Sequence, residues 1–198
     1  FISALWVLDW LPEISKTGAV SQNFHGGPSG IYPPIGFSKD GEIEIRPLYY
    51  GLLLFSELVA NYSQWVSTST LVTEGLPAKA VVHATVDVSG RVKVLLVAKD
   101  IAESAHTTAV TVVITKAKSN VDPTASVPST AHVVRLTAPS PSAKRGIELA
   151  GQTFDNTVGG TPRGQRKLEL VKASAAGSGK TMYRVNLPPL SAAMLVVG

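Results

Sequence analysis

The sequence predicts a mainly β protein, in which an α/β segment up to about residue 62 precedes an antiparallel β-sheet domain. The spacing of apolar residues changes from about 3.6 to 2 after Asn61, as happens where a helix gives way to strands. Clusters of Gly, Pro, Ser and Asn then separate short apolar segments at a spacing typical of a sandwich or a barrel. With 17 Gly and 13 Pro in 198 residues, the composition is that of a loop-rich globular chain.

Apolar residues at helical spacing predict a first helix over Ser3–Ser15. We expect Ser3 to cap this helix and Gly18 to end it, while Pro12 inside the pattern favours a kinked or shortened last turn. The residues Ala19–Phe24 are expected to form a strand. This strand would lead directly into a glycine-rich segment.

The glycine-rich segment within Ser21–Tyr32 is the strongest candidate for a ligand site. Its glycines, at positions 26, 27 and 30, permit positive φ and allow the backbone to approach a ligand closely. An amide, an imidazole and a phenol accompany them in Asn23, His25 and Tyr32. Folds of the α/β class place ligand sites where a strand ends in such a turn. An ordinary surface turn is the alternative, and composition alone leaves both open.

The clearest helix of the chain is predicted over Pro47–Tyr62. Pro47 suits the first turn of a helix. Apolar residues cover most of the circumference, so we expect this helix to be well buried. The preceding segment, Ile31–Arg46, is expected to be irregular, with a turn at Lys39-Asp40-Gly41.

The β region is predicted to begin with a hairpin. Val81–Val88 and Arg91–Ala98 are two apolar segments joined by a tight turn at Ser89-Gly90. The further predicted strands are Thr107–Ile114, Ala131–Leu136, Gly146–Leu149, Leu168–Val171, Met182–Leu187 and Ala192–Val197.

Motifs for common cofactors and metals are incomplete. Ala176–Thr181 resembles a phosphate-binding loop, but Ser174 occupies the position of its first glycine, and a polar hairpin turn fits better. The histidines at 25, 83, 106 and 132 lack metal-ligand spacing, and His83 fits a strand residue better than a ligand. The chain has no cysteine, and none of its 14 Asp and Glu residues form a convincing acid and nucleophile pair. We therefore expect neither a metal nor another cofactor.

Charge and hydropathy also limit the classes of partner. The net charge of +4 is modest, and Lys and Arg are dispersed except at Arg163–Lys167, so nucleic acid is not an expected partner. No apolar segment is long enough to span a bilayer. Asn61-Tyr62-Ser63 is an acceptor sequence for N-glycosylation, which favours a secreted or extracellular protein. Chance occurrence of this tripeptide is the alternative.

Five blocks of the sequence carry a resemblance to a known family: Ser3–Trp10, Asn23–Tyr32, Pro47–Phe55, Leu149–Asn156 and Leu187–Ala193. Together they resemble glycoside hydrolase family 79, the heparanase and β-glucuronidase family, in its fungal and bacterial members. In order and spacing they are similar to the C-terminal part of those proteins.

The resemblance implies a mainly β fold class, an antiparallel β-sandwich preceded by the last α/β units of a (β/α)8 barrel. Residues 1–62 would be the helix after strand seven, strand eight, the glycine-rich loop and the closing helix, and residues 63–198 most of the sandwich. In the family a Gly-x-Tyr after strand eight binds the carboxylate of glucuronic acid, and Gly30-Ile31-Tyr32 is similar to it. His25 and Asn23 would lie at the end of the same strand, facing the pocket.

The resemblance also implies what this chain does not supply. The family's acid/base and nucleophile glutamates lie on strands four and seven, which would precede residue 1. The chain alone is therefore expected to be inactive on aryl glucuronides, with a glucuronic-acid-containing glycan as ligand and an N-terminal portion of the same precursor as a partner. The alternatives are an independent, non-catalytic, lectin-like carbohydrate-binding β-sandwich and a merely structural fragment.

Overall fold

The computed structural model describes residues 1–26, 33–68, 80–101, 105–115, 127–157, 159–175 and 180–198. In these ranges the chain forms two helices, α1 (Ile2–Lys16) and α2 (Pro47–Leu58). It also forms the strands β1 (Ile35–Phe37), β2 (Ile43–Ile45), β3 (Gln64–Val66), β4 (Ala80–Val86), β5 (Val92–Ala98), β6 (Thr108–Thr115), β7 (Thr130–Thr137), β8 (Glu148–Leu149), β9 (Glu169–Ala175), β10 (Lys180–Leu187) and β11 (Ser191–Val197).

Nine strands form one curled antiparallel sheet, in the order β3-β4-β5-β11-β7-β9-β10-β6, with β8 paired to β7. Strand β9 connects the two halves of this sheet. Its first residues, Glu169–Lys172, pair with β7, and its last, Ala173–Ala175, pair with β10. The half made of β9, β10 and β6 thereby folds over the other half and encloses a core, which confirms the mainly β fold class.

The central strands β5 and β11 are buried on both faces, which explains why their sequences are continuous apolar runs rather than alternating ones. Alternate residues of each strand enter different cores. Leu96 and Leu195 face the core between the two halves of the sheet, whereas Leu95 and Met194 face the helices. The molecule therefore has three layers: a helix pair, a large half-sheet and a smaller half-sheet.

The helix pair packs closely at Gly51. A Cβ atom at this position would lie 2.5 Å from both the Ala4 carbonyl oxygen and the Val7 Cγ1 atom. Helix α1 also contacts β5, and α2 contacts β5, β7 and β8. Leu5, Leu8 and the other buried apolar residues of these helices share one core with the sheet.

The boundaries of both helices differ from the prediction. Ser3 does not cap α1, because the helix begins one residue earlier with Phe1 at the N-cap and no side-chain cap. The helix continues through the buried Pro12 to Lys16, without the shortened last turn. Helix α2 ends at Leu58, because Asn61 and Tyr62 adopt positive φ angles of 63° and 52° in the turn that leads to β3.

The predicted strand over Ala19–Phe24 is wrong: these residues form no regular structure, and Val20 is fully exposed. The pattern is locally β-like, but no described strand lies beside it to accept its backbone hydrogen bonds. Within the segment predicted as irregular, β1 and β2 instead form a small hairpin. The predicted turn at Lys39-Asp40-Gly41 connects its strands, with Gly41 at φ +80°.

The predicted strands of the β region are confirmed with ends shifted by at most two residues, except that the strand predicted to end at Val171 continues as β9 to Ala175. Strands β4 and β5 pair in antiparallel register around the Ser89-Gly90 turn, with Gly90 at φ +81°. Antiparallel β9 and β10 flank residues 176–179, and no helix follows, which agrees with a hairpin and excludes a phosphate-binding loop. Residues 176–179 themselves lie outside the described ranges.

Candidate functional site

The predicted ligand segment is described only in part. Gly30, Ile31 and Tyr32 lie outside the described residues. Asn23 and His25 lie in the irregular chain that follows α1, and both are exposed. Phe24, between them, packs against the small apolar cluster that includes residues of both helices.

The packing of Phe24 anchors the chain that follows α1 against the helix pair. The buried residues of this cluster are Val7, Leu11 and Leu48, and Leu52 and Phe55 pack against it as Phe24 does. Gly26 is open, with nothing within 4 Å of a Cβ atom built there. The two described candidates are therefore exposed beside an anchored aromatic ring, and their proximity to Tyr32 stays a prediction.

A cluster of charged side chains surrounds His83, which lies on β4 and is 3% exposed. The Lys16 ammonium donates a hydrogen bond to His83 Nδ1 at 3.1 Å and another to Glu13 Oε1 at 2.9 Å. On the other side of the ring, His83 Nε2 lies 3.5 Å from Asp9 Oδ1 without completing a hydrogen bond. Asp9 in turn pairs with Lys99, just beyond β5.

The ring of Trp65, on β3, completes the enclosure of His83. The indole meets the imidazole edge-on at 6.4 Å between ring centroids, and the Lys16 ammonium lies 5.6 Å from the indole centroid. Burial, followed by the positive charge of Lys16, lowers the pKa of His83, and Glu13 and Asp9 offset this only in part. The imidazole is thus held neutral, with Nδ1 as a hydrogen-bond acceptor.

The His83 cluster lacks the geometry of a glycosidase centre. Retaining glycosidases need two carboxyl groups roughly 5 Å apart on either side of an open substrate position. Here the imidazole fills the space between Asp9 and Glu13, and each carboxylate binds a lysine. The cluster therefore ties α1 to the sheet rather than acting on a sugar.

A buried lysine and a buried aspartate lie next to the C-terminal end of α2. Lys93 is 4% exposed and donates to the carbonyl oxygens of Glu57 and Ala60, both at 3.0 Å. Its ammonium lies 3.9 Å from Asp87, whose other oxygen accepts three hydrogen bonds from the β4–β5 turn. Burial lowers the pKa of Lys93, and the hydrogen bond from Ser89 is the main cause that lowers the pKa of Asp87.

Two of the family-like sequence blocks meet at Tyr50. The backbone N–H of Phe154 donates to the Tyr50 hydroxyl at 2.7 Å, and Thr153 Oγ1 lies 3.2 Å from the same oxygen. The Phe154 ring also packs edge-on against Tyr49 and Tyr50. Burial raises the pKa of Tyr50, and its phenol therefore stays protonated. The loop around residues 149–156 is thus attached to α2 by hydrogen bonds and aromatic packing.

A shallow surface groove runs between β8 and β9, beside β7. Arg135 pairs there with Glu169 at 2.7 Å, and Glu148 and Lys167 also line the groove. Two positive and two negative side chains leave it without a net charge that would select an ion. Across the described ranges, no group of three His, Asp or Glu side chains is placed to hold a metal ion.

The model of the glycosyl hydrolase family 79 C-terminal beta domain matches residues 82–194, over half of the chain. The chain belongs to this family. The match begins within β4 and ends within β11, so it covers the sheet except β3 and does not cover the helix pair. Membership in family 79 relates the chain to glycoside hydrolysis.

Solved structures resemble the family 79 chain in fold. An arabinofuranosidase matches 98% of it at 15% identity, with a TM-score of 0.51. The catalytic domain of a GH30 xylanase C from Talaromyces cellulolyticus matches 84% of it at 11% identity, with a TM-score of 0.46. A GH51 arabinofuranosidase from Xanthomonas axonopodis pv. citri matches 84% at 16% identity, with a TM-score of 0.43.

The family 79 chain spans only 27% to 38% of the length of these three solved chains. A search of the curated proteins finds no match. Neither of the helices in the described part of the chain is long and apolar enough to cross a membrane.

Sequence reasoning placed His83 correctly on a strand but missed its buried charge cluster. Two signals were present. Asp9 and Glu13 are four residues apart and therefore share a helix face, and His83 and Thr85 are polar at alternating positions of an apolar strand. Nothing in the sequence indicated that the two elements pack together.

Proposed function

We propose that the chain is the C-terminal portion of a retaining β-glucuronidase-like glycoside hydrolase. In this proposal residues 1–62 end a (β/α)8 barrel and residues 63–198 form its β-sandwich. The match to the family 79 C-terminal beta domain is the observation that carries the proposal. The fold likeness over 98% of the chain to 38% of an arabinofuranosidase agrees with a portion of a larger enzyme.

The outer face of α1 supports a further protein portion as the partner. Ile2, Trp6 and Trp10 are exposed at four-residue intervals, on the side opposite the core. The two indole rings stack on each other at 5.7 Å between centroids. A contiguous apolar stripe of this kind marks an interaction surface.

The substrate class proposed is a glucuronide, with Tyr32 and the backbone N–H groups around Gly30 and Ile31 as donors to its carboxylate. These are donors that bind a carboxylate without a full counter-charge. Asn23 and His25 would extend the same pocket, and their exposure leaves both side chains accessible to a ligand. Both catalytic glutamates come from outside residues 1–198, and no cofactor takes part. The whole protein is proposed to act outside the cell.

The substitution Tyr32→Phe in the full-length enzyme tests the pocket. It removes one hydrogen bond to a charged group, worth about 1.5–3 kcal/mol, so kcat/KM for an aryl glucuronide should fall about 10- to 150-fold. The value of kcat/KM for neutral aryl glucosides should fall much less, because these substrates carry no carboxylate. Tyr62→Phe is the matched control, since Tyr62 is 89% exposed on a turn. Equal kinetics of Tyr32→Phe and wild type on both substrates would remove Tyr32 from the site.

An activity assay of the 198-residue chain alone tests whether the catalytic groups lie outside it. The chain should not hydrolyse aryl glucuronides, because it would lack the acid and the nucleophile. Adding the remainder of the precursor should restore hydrolysis. Turnover by the chain alone, abolished by replacing Asp9 or Glu13, would contradict the proposal.

A second candidate is a non-catalytic, lectin-like carbohydrate-binding role. The stacked, exposed Trp6 and Trp10 rings favour it, because indole faces pack well against the apolar faces of sugars. Calorimetric titration of the isolated chain with glycans distinguishes the two. Saccharide binding that Trp6→Ala abolishes would support the lectin-like role, whereas a loss of assembly with the remaining portion would support the first.

A further inference from the structure

The turn that follows α2 contains an exposed asparagine, Asn61, and its backbone is held by hydrogen bonds. Asn61 is exposed at φ 63°, and its carbonyl oxygen accepts a hydrogen bond from the Val88 N–H at 3.3 Å. On the other side, the Ser63 hydroxyl and the Lys93 ammonium both donate to the Ala60 carbonyl, at 2.6 and 3.0 Å. The Ala60 and Asn61 carbonyl groups are thus hydrogen-bonded within the protein, and Asn61 itself is exposed to solvent.

Two exposed apolar residues lie close to Asn61. Tyr62 is 89% exposed and Val88 is 75% exposed. Val88 lies on the β4–β5 turn, which the hydrogen bond to Asn61 holds against the end of α2. Two exposed apolar side chains therefore lie near Asn61, one on the next residue and one on the residue hydrogen-bonded to its carbonyl group.

Asn61-Tyr62-Ser63 also has the order that the N-glycosylation enzyme accepts, with a hydroxyl two positions after the asparagine and no proline between them. We propose that Asn61 carries an N-linked oligosaccharide, whose first sugar residues cover Tyr62 and Val88. Sugars have apolar faces that pack against aromatic rings, and their hydroxyl groups remain in water.

The modification is a group transfer from a lipid-linked oligosaccharide diphosphate. A bond forms between the Asn61 amide nitrogen and the anomeric carbon of the sugar, and the bond from that carbon to the lipid diphosphate breaks. The nitrogen loses one proton and the lipid diphosphate leaves. This inference does not depend on the proposed glucuronidase activity, because it requires only that the chain enters the secretory route.

Secretory expression of the 198-residue chain in a yeast host, behind a cleavable signal sequence, tests the modification. An added acceptor sequence after Gly198 reports that each chain has reached the compartment in which glycans are attached. Asn61→Gly removes the amide while tolerating the positive φ. Asn156→Gly is the matched control, because Asn156 is also exposed at positive φ (52°) but is followed by Thr157 and residue 158, a valine, rather than by an acceptor sequence.

Intact mass of the cell-associated and secreted protein, with and without an N-glycan-cleaving enzyme, is the measurement. Wild type and Asn156→Gly should carry two glycans, and Asn61→Gly only the added one. A wild-type chain that carries the added glycan alone would overturn the proposal. Enzymatic deglycosylation should also increase binding of an apolar fluorescent dye, and the double variant Tyr62→Ser, Val88→Ser should suppress that increase. Unchanged dye binding would overturn the covering of Tyr62 and Val88.

Discussion

Acidification should loosen the attachment of α1 to the sheet through His83. In the folded protein this imidazole is buried and neutral, and its Nδ1 accepts a hydrogen bond from Lys16. A proton added at Nδ1 would remove that hydrogen bond and place a cation next to the Lys16 ammonium. Glu13 and Asp9, at 3.6 and 3.5 Å, would compensate in part. Lys99 faces the same cluster through Asp9.

The sign of the effect follows from the lowered pKa of His83, whose ordinary value is 6.5. Below pH 6.5 the unfolded chain binds a proton at this residue that the folded chain excludes. The stability from neutral His83 is thus fully present above pH 6.5 and is lost as the pH falls towards and through the lowered folded pKa. The free energy of unfolding should decrease by up to about 1.4 kcal/mol per pH unit in that window.

The substitution His83→Gln isolates this contribution. The glutamine amide can accept from Lys16 and donate towards Asp9, but it does not titrate. Urea unfolding followed by tryptophan fluorescence, at several pH values from 7.5 to 5, gives the free energy of unfolding of each variant. The difference between wild type and His83→Gln should change with pH below 6.5. His132→Gln, at an exposed histidine of β7, serves as the control and should parallel wild type.

Parallel pH profiles of wild type and His83→Gln would contradict a lowered pKa of His83 in the folded protein. They would mean that the imidazole has the same proton affinity in the folded and unfolded chain. A steeper loss of stability in His83→Gln than in wild type would refute it equally.

Two further substitutions test contacts that hold α2 in place. Gly51→Ala would place a Cβ atom 2.5 Å from the backbone oxygen of Ala4, so a loss of about 1–3 kcal/mol is expected in urea unfolding, whereas Ser56→Ala on the exposed side of α2 should change stability by less than about 0.5 kcal/mol. A gain in stability from Gly51→Ala would contradict the close approach. Lys93→Met leaves the buried Asp87 carboxylate without its cation and should cost about 3–5 kcal/mol, and a loss below about 1 kcal/mol would show that the pair is dispensable.

Elements with local signals could be predicted from the sequence. The β4–β5 hairpin has a Ser89-Gly90 turn between two apolar segments, and α2 begins at Pro47. The three-residue strands β1 and β2 were missed because so short a segment carries no measurable period. The strand predicted over Ala19–Phe24 was wrong for the opposite reason. Its composition is β-like, but the described part of the chain contains no neighbouring strand with which it could pair.

The candidate functional residues also differ in whether the sequence alone could identify them. A family-like Gly-x-Tyr can be found by sequence alone, and the role of Tyr32 remains a prediction. The His83 cluster could not be found so, because Lys16 lies 67 positions away from the imidazole that it contacts. Which charges meet is decided by the docking of a helix on a sheet, and no pattern of spacing within either element records that docking.

The position of β11 constrains how this protein can be made. It follows every other described strand in the sequence, yet it lies between β5 and β7, with Val92 opposite Val197. Until residues 191–197 have been synthesised, β5 and β7 have no common neighbour. Their apolar side chains then stay exposed unless a chaperone binds them or β11 pairs with both strands. A premature stop codon a few residues upstream would therefore divide the sheet through its middle instead of shortening it at an edge.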